Sequence, residues 1–419
     1  MSKSIDKIKK IYLDHASSAL SLSANPGAIH VLGVKEKSKL ENSRKNISKI
    51  LDCHSDEIIF TSGATESNNL AILGLIHPTL RPPIGKGRVG ERSQLPHIVT
   101  TNIEHASVLE VCKHLEKTKQ IQVTYVEVEE RGIVDPRKIK KALRPNTVLV
   151  SVMYANNEIG TIQPIQEIAK EIRHYRKNLT RLRHPLLGKE RVGERCIFPF
   201  FHTDATQAVN YLPINVKKLG VDLMSFNAAK IYGPKGVGVL YVKRNTPIKK
   251  IMFGGDQEGG LRPGTENVAG AVALAYALEI TQKMKDKEAR RLEKLKDYFL
   301  NKLVHSNVGA DFGIRINGDL KNRLPNNVNI TIPNMPSDLL VIELSARGIM
   351  ASAKSACKSG DGKDSHVILA LQKKDGLPVK ALASAGSLRF SLGRGTNKKD
   401  IDYTIKSLAE ILQKLKKWY

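Results

Sequence analysis

The chain has 419 residues, 41% of them hydrophobic, so it is long enough to bury one large core and a second, smaller one. Its formal charge of +26 comes largely from lysines spread along the chain, which indicates a solvated basic surface. Because the sequence has neither zinc-finger spacing nor interleaved aromatic and basic residues, we expect no nucleic-acid partner.

Cysteine spacing indicates a reducing compartment. Cys53, Cys112, Cys196 and Cys357 are too far apart for a CxxC metal pair or a disulfide framework. No apolar signal segment follows the basic N-terminus, and no apolar run is long enough to cross a bilayer. We therefore expect a cytoplasmic protein that has no membrane partner.

The N-terminal part of the chain is predicted to begin with a short strand, Ile11–His15, and a turn, Ala24–Gly27. An amphipathic helix is predicted over Val34–Leu51, and a strand over Glu57–Gly63 runs into a glycine turn. Ala64–Leu70 then opens another helix. Its free backbone N–H groups and a threonine hydroxyl can bind an anion, although an ordinary helix cap has the same pattern.

Strands followed by helices continue beyond this point. Strands are predicted over His97–Thr101 and Thr147–Tyr154, and each leads through polar residues into a helix. This alternation predicts a mostly parallel sheet with helices on both faces. Because parallel strands end at one edge, five polar residues are expected there, namely Thr65, His105, Asn157, Asp204 and Lys230.

An aspartate and a lysine at this edge suggest a cofactor. Asp204 follows the apolar run Cys196–Thr203, and Lys230 follows a strand predicted over Val221–Phe226. In pyridoxal phosphate (PLP) sites a lysine forms a Schiff base with the aldehyde, and an aspartate keeps the pyridine nitrogen protonated. Taken alone, Lys230 is more typical of a solvated loop residue than of a Schiff-base lysine.

Two segments, Leu80–Ser93 and Leu182–Cys196, are near-copies that share the core GK-x-RVGER. Neither has a helical or strand period, and two copies are too few for a stacked repeat architecture. We predict a duplicated insertion in surface loops, with a basic docking loop as the alternative.

The C-terminal part begins after a glycine-rich turn, Gly259–Thr265. A long helical region is predicted over Glu266–His305, with a break within it. Strands over Asn327–Ile332 and Leu388–Leu392 and a closing helix over Asp400–Lys417 predict a smaller α/β domain.

A series of motifs extends along the whole chain: IYLDHA (11–16), NPGAIH (25–30), FTSGATESNNLAI (60–72), EHASVL (104–109), NNEIGTIQPI (156–165), DATQA (204–208), KIYGPKGVG (230–238), LRPGTEN (261–267), SAC (355–357) and RFSLGR (389–394). In type and order they resemble the cysteine desulfurases of the NifS/IscS type, in the class-V aminotransferase family of PLP enzymes. The resemblance implies an α/β, aspartate-aminotransferase-like fold (PLP fold type I). It also implies a large PLP-binding domain over residues 16–281 and a small domain formed by residues 1–15 and 282–419.

The resemblance assigns cofactor roles to matching positions. Lys230 corresponds to the Schiff-base lysine, and Asp204 to the partner of the pyridine nitrogen. The remaining cofactor positions are Asn157 and Gln207 for the ring O3′ oxygen, Ala64, Thr65 and Asn227 for the phosphate, and Thr265 for a phosphate contact donated by the second subunit of a homodimer.

The resemblance also assigns substrate and catalytic roles. His105 resembles the imidazole that stacks on the ring and serves as an acid–base, and Arg389 resembles the guanidinium that clamps the substrate carboxylate. Asn25 is the second substrate-binding position. Cys357 corresponds to the nucleophile, and flanking lysines favour its thiolate. Cys53 and Cys112 lie in apolar patterns and are predicted to be structural thiols.

The implied function is conversion of L-cysteine to L-alanine, with the sulfur passing to Cys357 and on to iron–sulfur cluster assembly or thiolation. A sulfur acceptor or iron–sulfur scaffold protein is the implied partner. No resident metal is expected, although Cys357 can transiently ligate a cluster shared with a scaffold. The alternatives are a catalytically impaired paralogue that acts as a binding protein, and another PLP reaction such as selenocysteine lyase; a transaminase would need no thiol.

The chain departs from the family pattern at four places. Ala229 stands where the family usually has histidine, and Asn227 replaces a serine. Loss of the imidazole donor would by itself weaken PLP binding roughly tenfold to a hundredfold, a loss that the Schiff base and the remaining phosphate contacts can offset. The segment between Ala16 and Asn25 is shorter than in the family. Ala353-Lys354 replaces Ser-Gly before the SAC motif, and the sequence ends at residue 419 without the tail that docks a scaffold in housekeeping members.

Overall fold

The computed structural model describes residues 24–77, 95–183, 198–305, 311–353, 365–372 and 387–417. Some of the sequence predictions concern residues outside these ranges. The strand Ile11–His15, both RVGER cores and the segment with Cys357 lie outside the described residues. The described turn at Ala24–Gly27 agrees with the prediction, because Ala28 N–H donates to the Asn25 carbonyl at 3.1 Å.

The larger sheet is built from β1 (Ile58–Thr61), β2 (His97–Thr101), β3 (Gln122–Val126), β4 (Thr147–Ser151), β5 (Phe200–Asp204), β6 (Leu223–Asn227) and β7 (Gly238–Val242). Their spatial order is β1-β7-β6-β5-β4-β2-β3. Neighbours among β2 to β6 pair in parallel, whereas β7 runs antiparallel to β1 and β6. The predicted α/β fold with a mostly parallel sheet is confirmed.

Helices cover both faces of this sheet, which separates two hydrophobic cores. Val99 and Val150 lie in one core, and their chain neighbours Ile98 and Leu149 lie in the other, because successive strand residues point to opposite faces. The covering helices are α1 (Val31–Leu51), α2 (Ala64–Leu73), α3 (Ala106–Lys117), α4 (Pro136–Ala142), α5 (Ile165–Arg183) and α6 (Val216–Leu219). Burial on both faces explains why the strands are apolar runs without alternation.

Helix α7 (Val268–His305) is continuous over 38 residues, so the predicted break within this region is wrong. The segment contains no proline, and its one glycine, Gly270, lies in the first turn. Alanine, leucine, glutamate and lysine make up most of the remainder, and these residues favour an uninterrupted helix. The expected domain boundary at residues 281/282 therefore falls inside a helix.

A second sheet is formed by β8 (Arg315–Ile316), β9 (Asn327–Thr331) and β10 (Ser387–Ser391), paired antiparallel in the order β10-β9-β8. It is accompanied by α8 (Ser337–Ser345), α9 (His366–Gln372) and α10 (Lys398–Leu415). The two sheets are joined by hydrogen bonds, among them the Leu324 N–H to the Gly160 carbonyl at 2.9 Å. None of the helices in the described part of the chain has the length and apolarity to cross a membrane.

Candidate active site

A cavity of about 450 Å³ lies where β5 and β6 end. Its volume is within the range of small-molecule sites. Most of the predicted cofactor and substrate residues line it, namely Ala64, Thr65, His105, Asn157, Asp204, Gln207, Asn227, Lys230 and Arg389. These residues come from segments far apart in the sequence, so the fold itself assembles them.

Asp204 is the last residue of β5 and is 6% exposed. Its Oδ1 accepts the backbone N–H of Thr206 at 2.9 Å, and its Oδ2 accepts Nδ2 of Asn68 at 2.7 Å. These two donors fix the plane of the carboxylate at the cavity wall. Each oxygen keeps a further lone pair with which to accept a ligand N–H.

Lys230 lies in a single 3₁₀ turn, Ala228–Lys230, directly after β6. Oδ1 of Asn227 accepts the Lys230 N–H at 3.2 Å, and Nδ2 of Asn210 donates to the Lys230 carbonyl. The backbone of the lysine is therefore held on both sides. Among the described residues, no hydrogen bond or ion pair involves its Nζ.

The start of α2 forms another side of the cavity. A Cβ at Gly238, the first residue of β7, would lie 2.7 Å from the backbone of Gly63, so glycine there permits the close approach. Oε2 of Glu66 accepts the Ser62 N–H at 2.7 Å, and Oε1 pairs with Arg262 at 3.0 Å. Burial alone would raise the pKa of Glu66, but these hydrogen bonds lower it. The turn is thus braced, and the first N–H groups of the helix remain for an anion.

His105 is the N-cap of α3. Its Nδ1 accepts the Ser107 N–H at 3.2 Å and lies 2.8 Å from Oγ of Ser107. The neighbouring Glu104 is fully buried, where it accepts the Met153 N–H at 3.0 Å and the Thr101 hydroxyl at 2.6 Å. Burial raises the pKa of Glu104 to about 8. This anchor fixes the backbone from which His105 reaches the cavity.

Arg389 brings the second sheet to the cavity. It lies on β10, where its backbone N–H and carbonyl pair with Ser352 at 2.7 and 3.1 Å. Its Nη1 donates to the Asn157 carbonyl at 2.9 Å. That contact orients the guanidinium beside the loop that follows β4.

Two predicted site residues that the structure describes are not among the residues that line this cavity. Thr265 is exposed on the surface of the chain, and Asn25 is half-buried with its Oδ1 accepting the Gly27 N–H at 2.8 Å. Cys357 lies outside the described residues. By contrast, burial raises the pKa of both Cys53 and Cys112 to about 12, which agrees with their prediction as structural thiols.

Several cavity residues or their direct supports were not predicted from the sequence. Thr206 lines the cavity, and its buried hydroxyl has no hydrogen-bond partner within the described residues. Asn210 and Tyr232 also line it. Asn68 lies one helical turn after Ala64, so helical spacing alone would have put it on the same face of α2.

The fold and the cavity together define the class of protein to which this chain belongs. The family model described as "Aminotransferase class-V" matches residues 2–180 and 198–404, and the chain belongs to that family. A cysteine desulfurase IscS of Dictyoglomus turgidum is 41% identical over 392 residues, covering 94% of this chain and 88% of the relative. A cysteine desulfurase IscS of Methanosarcina thermophila is 38% identical, covering 94% of this chain and 86% of the relative.

Solved structures agree. A NifS-like protein superposes with a TM-score of 0.76 at 33% identity, covering 94% of this chain and 92% of that one. SspA in complex with cysteine superposes with a TM-score of 0.66 at 30% identity, covering 88% and 90%. The resemblance to NifS/IscS-type enzymes and the PLP fold type I architecture are therefore confirmed.

The family match also bears on the duplicated segments. Its gap, residues 181–197, spans the second near-copy, Leu182–Cys196. The second copy is thus extra to the family pattern, which supports its prediction as an insertion. The first copy, Leu80–Ser93, lies inside the matched range.

Proposed function

We propose that this protein is a PLP-dependent cysteine desulfurase, which converts L-cysteine to L-alanine and transfers the sulfur to Cys357. The observation that carries the proposal is the meeting of Asp204, Lys230 and the start of α2 in one cavity. The persulfide then supplies sulfur to an acceptor protein or an iron–sulfur scaffold.

The residues present fit PLP. Asp204 offers a buried acceptor for a pyridine N–H, and the Thr206 hydroxyl beside it is a buried polar group still to be satisfied. Lys230 Nζ is available for the aldehyde. When bound, PLP withdraws electrons from the substrate Cα, and a carboxylate at the ring nitrogen strengthens that withdrawal.

The phosphate position is supported by backbone and amide donors. The backbone N–H groups of Ala64 and Thr65 lie at the start of the ten-residue helix α2, where a helix can bind a phosphate. Asn227 uses its oxygen to cap Lys230, so its NH2 is the group left for an anion. Ala229 contributes no side-chain donor. The phosphate should therefore be bound more weakly here than in a site that has histidine at this position.

Substrate recognition falls to Arg389 and His105. A guanidinium that donates to the Asn157 carbonyl is oriented beside the cavity, and its planar fork of N–H donors has the geometry that a carboxylate accepts. His105 and Lys230 are the titratable side chains that can hold or move a proton at the substrate Cα.

Two anchors flank the segment that carries Cys357. On one side, Ser352 pairs with Arg389; on the other, the Ser365 hydroxyl donates to Glu158 at 2.5 Å. Cys357 is four residues from Ala353, so their Cα atoms are at most about 14 Å apart. Ala353 itself follows Ser352, whose backbone pairs with the cavity-lining Arg389.

The sulfur transfer balances without a further reactant. The Cys357 thiolate attacks the substrate sulfur, a sulfur–sulfur bond forms, and the carbon–sulfur bond breaks with its electrons passing to carbon. Proton return to that carbon gives alanine. The products are one alanine and one persulfide for each cysteine consumed.

The test is production of alanine and, with a reductant, sulfide from L-cysteine in the presence of PLP. We expect one-to-one products, and loss of both alanine and sulfide in Cys357→Ser as well as in Lys230→Ala. Borohydride reduction and peptide mapping should place the cofactor label on Lys230; a label on Lys235 would refute the assignment. Alanine formation unchanged in Cys357→Ser would refute the sulfur-transfer role.

Ala229 is the observation that favours a second candidate, an impaired paralogue that binds PLP but turns over slowly. Such a protein would take up PLP on Lys230 and release no alanine at saturating cofactor. A selenocysteine lyase would release alanine from selenocysteine and leave cysteine untouched. The same assay with both substrates separates these outcomes.

A further inference from the structure

Asn68 connects two parts of the cavity wall. It is fully buried on α2, and its Nδ2 lies 2.7 Å from Oδ2 of Asp204 and 2.8 Å from Oγ of Ser107. A flipped amide would put an oxygen against a carboxylate oxygen, so the nitrogen must face Asp204. Both amide hydrogens are therefore committed, one to each partner.

The direction of the next hydrogen bond follows. Because Oγ of Ser107 accepts from Asn68, its own hydrogen is available for Nδ1 of His105 at 2.8 Å. The Ser107 backbone N–H also donates to Nδ1, at 3.2 Å. Nδ1 thus receives two donors and carries no hydrogen, so the neutral imidazole carries its hydrogen on Nε2.

The arrangement is not what packing alone would select. Oδ1 of Asn68 is buried and has no hydrogen-bond partner within the described part of the chain. A buried acceptor without a partner destabilises the fold, whereas leucine of similar size would not. What the amide contributes at this position is its two donated hydrogen bonds.

We propose that Asn68 and Ser107 are positioning residues that link Asp204 to His105 and restrict proton exchange by His105 to Nε2. The proposal deepens the proposed function, and rests on it, because Asp204 and His105 matter only if a cofactor lies between them. The Asn68 amide then positions both Asp204, the proposed partner of the ring nitrogen, and His105, the residue proposed to lie on the ring face.

The tautomer can be measured on the full chain without PLP. In ¹⁵N-histidine-labelled protein, with His105→Gln assigning the resonances, we expect Nε2 to be protonated and Nδ1 not. Ser107→Ala should raise the fraction protonated at Nδ1, and Ser107→Thr should restore the wild-type pattern. A protonated Nδ1 in the wild type, or no change in Ser107→Ala, would overturn the proposal.

Kinetics of the PLP-loaded enzyme give an independent measurement. Asn68→Leu should lower kcat about tenfold with little change in KM, and should alter the pH dependence of the cofactor absorption band. The matched control is Thr100→Val, which removes a buried hydrogen bond to the Ser151 carbonyl outside this network. Equal effects of the two variants would mean that Asn68 is merely structural.

The two measurements separate the proposals. If wild-type protein forms no alanine but shows the expected tautomer, the proposed function fails and the hydrogen-bond network stands. If alanine forms but Ser107→Ala leaves the tautomer unchanged, the network fails and the function stands.

Discussion

At the residue scale, Ala229 occupies the position before the lysine, where the resemblance to the family leads us to expect a histidine. Ala229 is exposed at the cavity and lies between Asn227, which caps the turn, and Lys230. We predict that Ala229→His tightens PLP binding about tenfold, because an imidazole adds a charge-assisted hydrogen bond to the phosphate. Titration of the PLP-free protein, followed by the visible absorption band, measures the change.

The matched control for that experiment is Ala229→Gln, which adds a side chain without a charge. A gain limited to histidine indicates a charge-assisted contact. Unchanged affinity in Ala229→His would contradict the prediction and mean that the helix start and Asn227 already complete the phosphate site. Weaker affinity would mean that alanine leaves room for another part of the ligand.

Nine of the predicted cofactor and substrate residues line the cavity, because the proposed chemistry restricts the side chain at each of those positions. Asp204, Lys230 and Arg389 occur in motifs, and all three line the cavity. Asn68 and Ser107 were not predicted, because their hydrogen bonds join α2, α3 and β5, and only the tertiary fold brings those elements together. Local pattern carries no information about such contacts.

At the element scale, β5 carries a buried histidine whose protonation opposes folding. His202 is fully buried between Ser151 on β4 and Ser225 on β6, with ring nitrogens 2.9 Å from each hydroxyl. Burial lowers its pKa to about 4. Because the unfolded chain binds a proton below about 6.5, this residue contributes stability that is complete above that pH and is lost as the pH falls towards 4.

We therefore predict that the unfolding free energy falls between pH 6.5 and 4, with His202 responsible for roughly 2–3 kcal/mol. His202→Gln keeps hydrogen-bonding capacity but does not titrate, so its unfolding curve should depend less on pH over that range. Urea unfolding at several pH values measures the difference. Parallel pH profiles for the two proteins would contradict the prediction.

A buried ion pair adds to the apolar packing that attaches α1 to the sheet. Nη1 and Nη2 of Arg44 each lie 2.7 Å from an oxygen of Glu258, and Glu258 also accepts the Phe60 N–H at 2.8 Å. Removing the arginine leaves a buried carboxylate without its counter-charge. We predict that Arg44→Ala costs about 3–5 kcal/mol of unfolding free energy.

The control variant is Arg244→Ala, which breaks an ion pair with Asp56 whose side chains are 52% and 59% exposed. Exposed pairs contribute little because water screens them, so this variant should unfold nearly as the wild type does. Similar urea midpoints for both variants would show that the Arg44 pair is not what holds α1.

Elements with strong local patterns were predicted well, and elements fixed by tertiary pairing were not. Strand β2 has the predicted bounds, His97–Thr101, and α2 begins at the predicted Ala64. The sequence analysis did not predict β3 or β7. The antiparallel direction of β7 could not be predicted locally, because a strand's direction is fixed by the strands with which it pairs. The break expected in α7 was wrong, since a domain boundary does not require a helix to end.

At the scale of the whole molecule, the duplicated segments are expected to be accessory. They have no apolar period, and the family match omits residues 181–197. We predict that deleting Lys189–Arg195 leaves the melting temperature and PLP affinity nearly unchanged, because loop closure depends only weakly on length. Deleting Lys86–Arg92, inside the matched range, is the companion variant. A large fall in melting temperature from either deletion would show that the segment packs.

Thr265 is the residue that bears most directly on the oligomeric state. This residue is exposed and does not line the cavity of its own chain, yet its motif corresponds to a phosphate contact. The isolated chain also exposes large apolar side chains, including Ile29 at 98% and Phe253 at 84%. We infer a homodimer in which Thr265 of one subunit completes the site of the other.

Mixed dimers test that inference directly. A Lys230→Ala subunit cannot bind PLP covalently but still offers Thr265, whereas a Thr265→Ala subunit keeps its lysine. If Thr265 acts across the interface, co-refolding the two variants should restore tight binding to one site in each mixed dimer, because that site then has both residues. If Thr265 acts within its own chain, every site lacks one of them and affinity should stay low. Sedimentation should give twice the 46.3 kDa chain mass, and a monomer that binds PLP fully would refute the arrangement.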